Sequence, residues 1–216
     1  MVTVPEVVET IIRKSPFLDE ALSLRILNHS AVARMIKPDV EQELMKKVRI
    51  GAVVMALNRL SRRIVKRARR QKSVFRRAPE LTVRSNLVEL TYANSENMSI
   101  RQKKLLDQHS GKSSYVLTFT QGINETTIVA SRELREKIQV HFKDERLIDK
   151  IDNLSTVSVL LPRNTAMIPG VYSYILKALA WEGINVVEVV STLNELMIVL
   201  EDKNIQQAFL VIKRLF

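Results

Sequence analysis

The chain has 216 residues, 46% of them hydrophobic, with no cysteine and a formal net charge of +11. That length suits two or three small domains, and the lack of cysteine excludes disulfides and thiolate chemistry. No apolar run approaches the roughly 18–20 residues that span a bilayer, and Glu6, Glu9, Arg13 and Lys14 interrupt any signal-peptide core, so a cytoplasmic protein with no membrane partner is expected.

Residues 1–77 read as a helical domain. Pro5 ahead of Val7, Val8, Ile11 and Ile12 starts an amphipathic helix. Ser15-Pro16 starts a second, and Asn28 and Ser30 offer caps for a third, which Pro38 is expected to end. A long helix follows from about Val48 to Arg70. Its apolar stripe is Ile50, Val53, Val54, Leu57, Leu60, Ile64 and Ala68.

The charge is concentrated here. Leu44 to Pro79 holds thirteen basic residues and no acidic one; the remainder carries 21 Lys+Arg against 23 Asp+Glu. Such a block is the footprint of a polyanionic partner, whereas a merely solvated helix usually mixes signs in stabilising pairs. Ser30–Ile36 and Val48–Leu57 loosely resemble the two helices of a helix-turn-helix or winged-helix module, although the 11-residue gap from Met35-Ile36 to Lys47 is long for one. That resemblance implies DNA contact, with Arg49 toward bases and Arg59, Arg62, Arg63, Lys66, Arg67 and Arg70 toward phosphates.

After Ala78-Pro79 the pattern changes, and it does so twice. Residues 78–150 read as a strand centred on Val88–Tyr92, a helix over Ser99–His109, strands at Ser113–Thr120 and Thr126–Ala130, and a helix from a Ser131 cap to Phe142. Asp144, Glu145, Asp149 and Asp152 read as polar linker residues. Residues 151–216 repeat the order: strand Thr156–Leu161, loop Pro162–Pro169, helix Gly170–Trp181, hairpin Ile184–Leu200, helix Asp202–Leu215. Asn124-Glu125 and Asn194-Glu195 occupy the same turn in each copy. Each copy is β-α-β-β-α, one strand short of a four-stranded sheet, so strands are either exchanged between the copies or completed by pairing.

The second copy resembles the ACT domain, the ligand-sensing module that follows the catalytic domain of aspartokinases. Val157–Pro162, Met167-Ile168-Pro169-Gly170-Val171, Ile175–Ala180 and Glu182-Gly183-Ile184-Asn185-Val186 carry that resemblance. The first copy has Met98-Ser99-Ile100 in place of Pro-Gly and rests on the internal repeat. The resemblance implies an α+β fold: a helical, helix-turn-helix-like domain followed by two ferredoxin-like βαββα(β) modules that form a homodimer through their sheets. It also implies an amino acid or similar small effector held by Asn164, Ile168, Pro169, Gly170, Asn185 and Val186, with its carboxylate at a helix N-terminus. Nothing here resembles a kinase domain. His29, His109 and His141 have no ligand spacing, and there is no glycine-rich phosphate loop, so no metal, cofactor or catalytic residue is expected. A ligand-responsive transcriptional regulator is the reading that follows; the alternative is an accessory subunit of a metabolic enzyme that does not bind DNA.

Overall fold

The computed structural model describes residues 2–74, 79–109, 115–163, 165 and 168–216, with side chains for all of these except 16, 67–74 and 109. The chain divides into two units, Met1–Val74 and Phe75–Phe216. Among the described residues no helix is long and apolar enough to cross a membrane.

The first unit consists of helices α1 (Val4–Lys14), α2 (Pro16–Ser23), α3 (His29–Leu44) and α4 (Ile50–Val74). A capping box between Thr3 and Glu6 starts α1, and the Asn28 side chain accepts from the Ser30 and Ala31 amides at the start of α3. Val7, Val8, Ile12, Leu22, Val32, Ala33, Ile36, Val40, Val53, Leu57, Leu60 and Ile64 form one core. Pro38 does not end α3, contrary to the sequence expectation. It lies on the exposed face, where water can take the Arg34 carbonyl that loses its partner, while Ile36 and Val40 keep the helix anchored. The helix instead stops at Met45, in a left-handed conformation with φ 51°. The connection to α4 is therefore residues 45–49, much shorter than the gap read from the sequence.

In the second unit the first copy is β1 (Leu81–Ala93), α5 (Met98–His109), β2 (Leu117–Gln121), β3 (Glu125–Ser131) and α6 (Arg135–His141). The second is β4 (Leu147–Leu160), α7 (Val171–Trp181), β5 (Glu188–Ser191), β6 (Glu195–Glu201) and α8 (Ile205–Lys213). All strands join one six-stranded antiparallel sheet in the order β2-β3-β1-β4-β6-β5.

The missing strand of each copy is found in the two longest strands. β1 residues 87–93 pair with β3, and β4 residues 154–160 pair with β6. Where β1 meets β4, Leu87–Tyr92 lie against Leu147–Leu154, and Leu81–Arg84 lie against Thr156–Val159. The front half of β4 thus gives the first copy a fourth strand, and the front half of β1 does the same for the second. Between the halves, the register shifts at Arg84/Leu87 and Leu87/Glu89. Asn86 (φ 61°) and Asn153 (φ 57°) are left-handed at corresponding places. Asparagine visits that region more readily than other non-glycine residues, so it suits a strand that must turn. Residues 150 and 151, where the sequence reading divides the copies, are consecutive residues of β4.

Strand alternation separates two apolar layers. Leu90, Tyr92, Ile128 and Ala130 pack with Met98, Leu105, Leu134, Ile138 and Phe142 from the helical side. Leu87, Val129, Leu154 and Val199, two pairs of repeat-related residues, cluster separately where the halves join.

The repeated Asn-Glu turn has a structural role. The Asn124 carbonyl accepts from the Asn94 amide at 2.8 Å, and the Asn194 carbonyl accepts from the Leu161 amide at 2.6 Å. In each copy the hairpin tip thereby ties down the chain leaving the first strand. Ser131 does not cap a helix: its Oγ accepts from the Val116 amide at 2.9 Å, and a 3-10 turn at Arg132–Leu134 intervenes before α6. The expected polar linker is also ordered structure. Asp149 and Asp152 lie on β4, Asp152 pairs with Arg135 and Lys150, and Asp144 and Glu145 pair with Arg101.

Candidate functional site

Of the residues expected to hold an effector, Asn164 lies outside the described residues. Gly170 (φ 87°) is the N-cap of α7, a backbone conformation that a Cβ would strain, and as a glycine it brings no capping side chain of its own. The preceding loop is tied by Thr165 N–H to the Pro162 carbonyl and Ile168 N–H to the Thr165 carbonyl, both at 2.9 Å. Ile168 is half-buried beside exposed Pro169 and Gly170. Thr165 is 2% exposed, and its Oγ1 has no hydrogen-bond partner. At the other end of α7, Gly183 (φ 70°) closes the helix, and Ile184 N–H returns to the Leu179 carbonyl. Exposed Asn185 and half-buried Val186 follow.

Within one chain these residues form two groups. Ile168, Pro169 and Gly170 stand at one end of an 11-residue helix and Asn185 and Val186 at the other. At 1.5 Å per residue the groups are about 16 Å apart. A small molecule touching both needs a second chain.

On α4, Ala52, Met55, Arg59, Arg62 and Lys66 recur at three-to-four spacing and are all exposed, one stripe along the helix, with exposed Arg49 just before it. Arg49, Arg59, Arg62 and Lys66 form no ion pair among the described residues. Arg63 differs: it is bound to Glu9, which Arg13 also holds at 2.7 Å. Its charge is already engaged, which sets it apart from the expected phosphate contacts. The side chains of Arg67 and Arg70 lie outside those described. The turn before α4 is fixed by Val48 N–H donating to Glu41 Oε1 at 2.8 Å, and this bond holds the Glu41 carboxyl below the usual range.

The sequence reading missed a buried carboxyl. Glu89 on β1 is 9% exposed and has the half-buried Glu188 of β5 as an acidic neighbour. Burial pushes Glu89 up to about 7, and the charges of Glu188 and Asp149 add to the shift. A glutamate inside the apolar run Leu87-Val88-Glu89-Leu90 was the available signal.

No protein-family model matches the sequence, and no curated protein matches it. Solved structures do match. The regulatory subunit of aspartate kinase from Thermus thermophilus, in its ligand-free form, superposes with a TM-score of 0.53 at 10% identity, covering 65% of this chain and 99% of that one. A structure of aspartokinase alpha and beta subunits gives 0.54 at 14% identity, with 65% and 99% covered. The aspartate kinase of Clostridium acetobutylicum gives 0.53 at 14%, with 63% of this chain but 34% of that one. Over 65% of the chain the fold is similar to that of aspartate kinase regulatory subunits. At these identities the likeness concerns the fold alone.

Proposed function

We propose that the protein is an amino-acid or small-metabolite sensor and acts as a ligand-responsive transcriptional regulator. The observation that carries the sensing half is Gly170, a left-handed glycine N-cap of α7, on a fold similar to that of aspartate kinase regulatory subunits. First-turn amides there favour an anionic group such as a carboxylate. Ile168, Pro169 and Gly170 of one chain meet Asn185 and Val186 of a second, so the working form is a homodimer, with Asn164 as the sixth expected contact. The regulatory half rests on the exposed stripe of α4, where Arg59, Arg62 and Lys66 meet phosphates, with Arg49 before it reading bases and Arg67 and Arg70 as the further expected phosphate contacts. Exposed Trp181 at the end of α7 supports the second reading, an accessory subunit docked on a metabolic enzyme (77% exposed).

The experiment is calorimetric titration of the full chain with each of the twenty amino acids. At least one binds saturably, and Gly170→Ala, which puts a Cβ into left-handed backbone, weakens that phase about tenfold. Titrations without heat for all twenty would leave the two copies a purely structural pair.

A further inference from the structure

Where β1 turns at Asn86, a cavity of about 250 Å³ opens in the first copy. Arg84, Ser85, Asn86 and Leu87 line it from β1, and Val116, Ser131 and Glu133 line it from the far side. Leu87 is 1% exposed and serves as an apolar base. Ser131 and Val116 are locked by two hydrogen bonds, Val116 N–H to Ser131 Oγ and Ser131 N–H to the Val116 carbonyl, both at 2.9 Å. The Ser131 hydroxyl accepts in that pair and keeps its own proton to donate.

Two charges of opposite sign border the same cavity without neutralising each other. Among the described residues neither Arg84 nor Glu133 forms an ion pair. Other cations of this unit behave otherwise: Arg135 pairs with Asp152 at 3.3 Å, and Arg101 with Asp144 at 3.0 Å. A guanidinium offers a planar fork that suits a carboxylate, and a carboxylate suits an ammonium. The space is below the roughly 300–1,000 Å³ typical of drug-sized ligands, so it favours a small molecule. The second copy has no such pair of charges. Along the repeat, Arg84 corresponds to Ile151 and Glu133 to Lys203, and Lys203 is paired with Glu201.

We propose that this cavity is a second effector position, taking a small free α-amino acid with its carboxylate on Arg84 and its ammonium on Glu133. Ser131 Oγ–H and the Asn86 side chain supply the remaining polar contacts. The proposal rests on the reading of the chain as an amino-acid sensor, and it gives a binding role to the copy whose sequence lacks Pro-Gly. It also requires both charges of the ligand, so neither the amine nor the des-amino acid of the same side chain should bind.

The test is titration calorimetry on full-length Gly170→Ala, in which the α7 position is weakened. A saturable phase remains for at least one amino acid. Arg84→Gln or Glu133→Gln added to that background lowers its affinity about tenfold or more. The amine and the des-amino acid give no heat. Arg84 and Glu133 are both exposed, so the variants should melt close to their parent, which circular dichroism checks. If Gly170→Ala abolishes all binding, or if the phase survives both glutamine substitutions, this site is wrong and the sensing reading stands. If the unmodified chain binds none of the twenty, both fall.

Discussion

Glu89→Gln stabilises the protein at pH 8 and leaves it almost unchanged at pH 4. The folded chain holds Glu89 at about 7, against 4.5 for an unperturbed glutamate, so between those values the folded state keeps a proton that the unfolded chain releases. The stabilisation is fully present below about pH 4.5 and is lost as pH rises through 7. At 1.36 kcal/mol per unit the difference amounts to about 3 kcal/mol. The groups facing it, Glu188 from β5 and Asp149 from β4, are both acidic and cannot compensate the buried charge. Glutamine keeps the size and polarity of the side chain and has no proton to lose. Urea unfolding of both proteins at pH 4, 6 and 8 reads the effect as a gap between them that widens with pH. A gap independent of pH would mean that Glu89 ionises normally in the fold.

The second large effect concerns α4. Duplex DNA binding should weaken steeply with salt, because each neutralised phosphate releases counterions at about 0.9 per contact. Replacing Arg59, Arg62 and Lys66 together by Gln flattens the slope of log K against log salt by about 3 and lowers affinity at every salt concentration. Arg63→Gln does much less to the slope, since that guanidinium is bound to Glu9, and registers instead as a small loss of stability. Fluorescence anisotropy across a salt series separates these outcomes. An unchanged slope in the triple variant would place the phosphate contacts elsewhere.

The helices, the hairpins and the repeated order of elements were legible because each has a local cause: a cap, an apolar period or a left-handed glycine. What failed was local too. Pro38 looks like a stop, and only the exposure of that face and the anchoring of Ile36 and Val40 let α3 continue through it. The long strands were cut short because Arg84-Ser85-Asn86 and Asp149–Asp152 look like linker. Yet these polar residues are exposed or half-buried members of long strands, and backbone pairing between β1 and β4 holds those strands in the sheet. The signal for that exchange was present as Asn86-Leu87 and Asn153-Leu154, a second repeat whose asparagines mark the two turns. The effector residues fell into two groups because a sequence shows order along a helix and not which chain supplies the other wall. Arg84 and Glu133 meet only through the fold.

If small-molecule state is passed to nucleic-acid contact, the two binding events are linked and each must change the other's affinity. The direct measurement is the affinity of the full-length protein for duplex DNA at fixed salt, with and without a saturating amino acid that binds it. A change of about fivefold or more in either direction is expected, and Gly170→Ala needs about tenfold more amino acid to reach it. Equal affinities with the amino acid bound and absent, or no DNA binding at low salt, would contradict it.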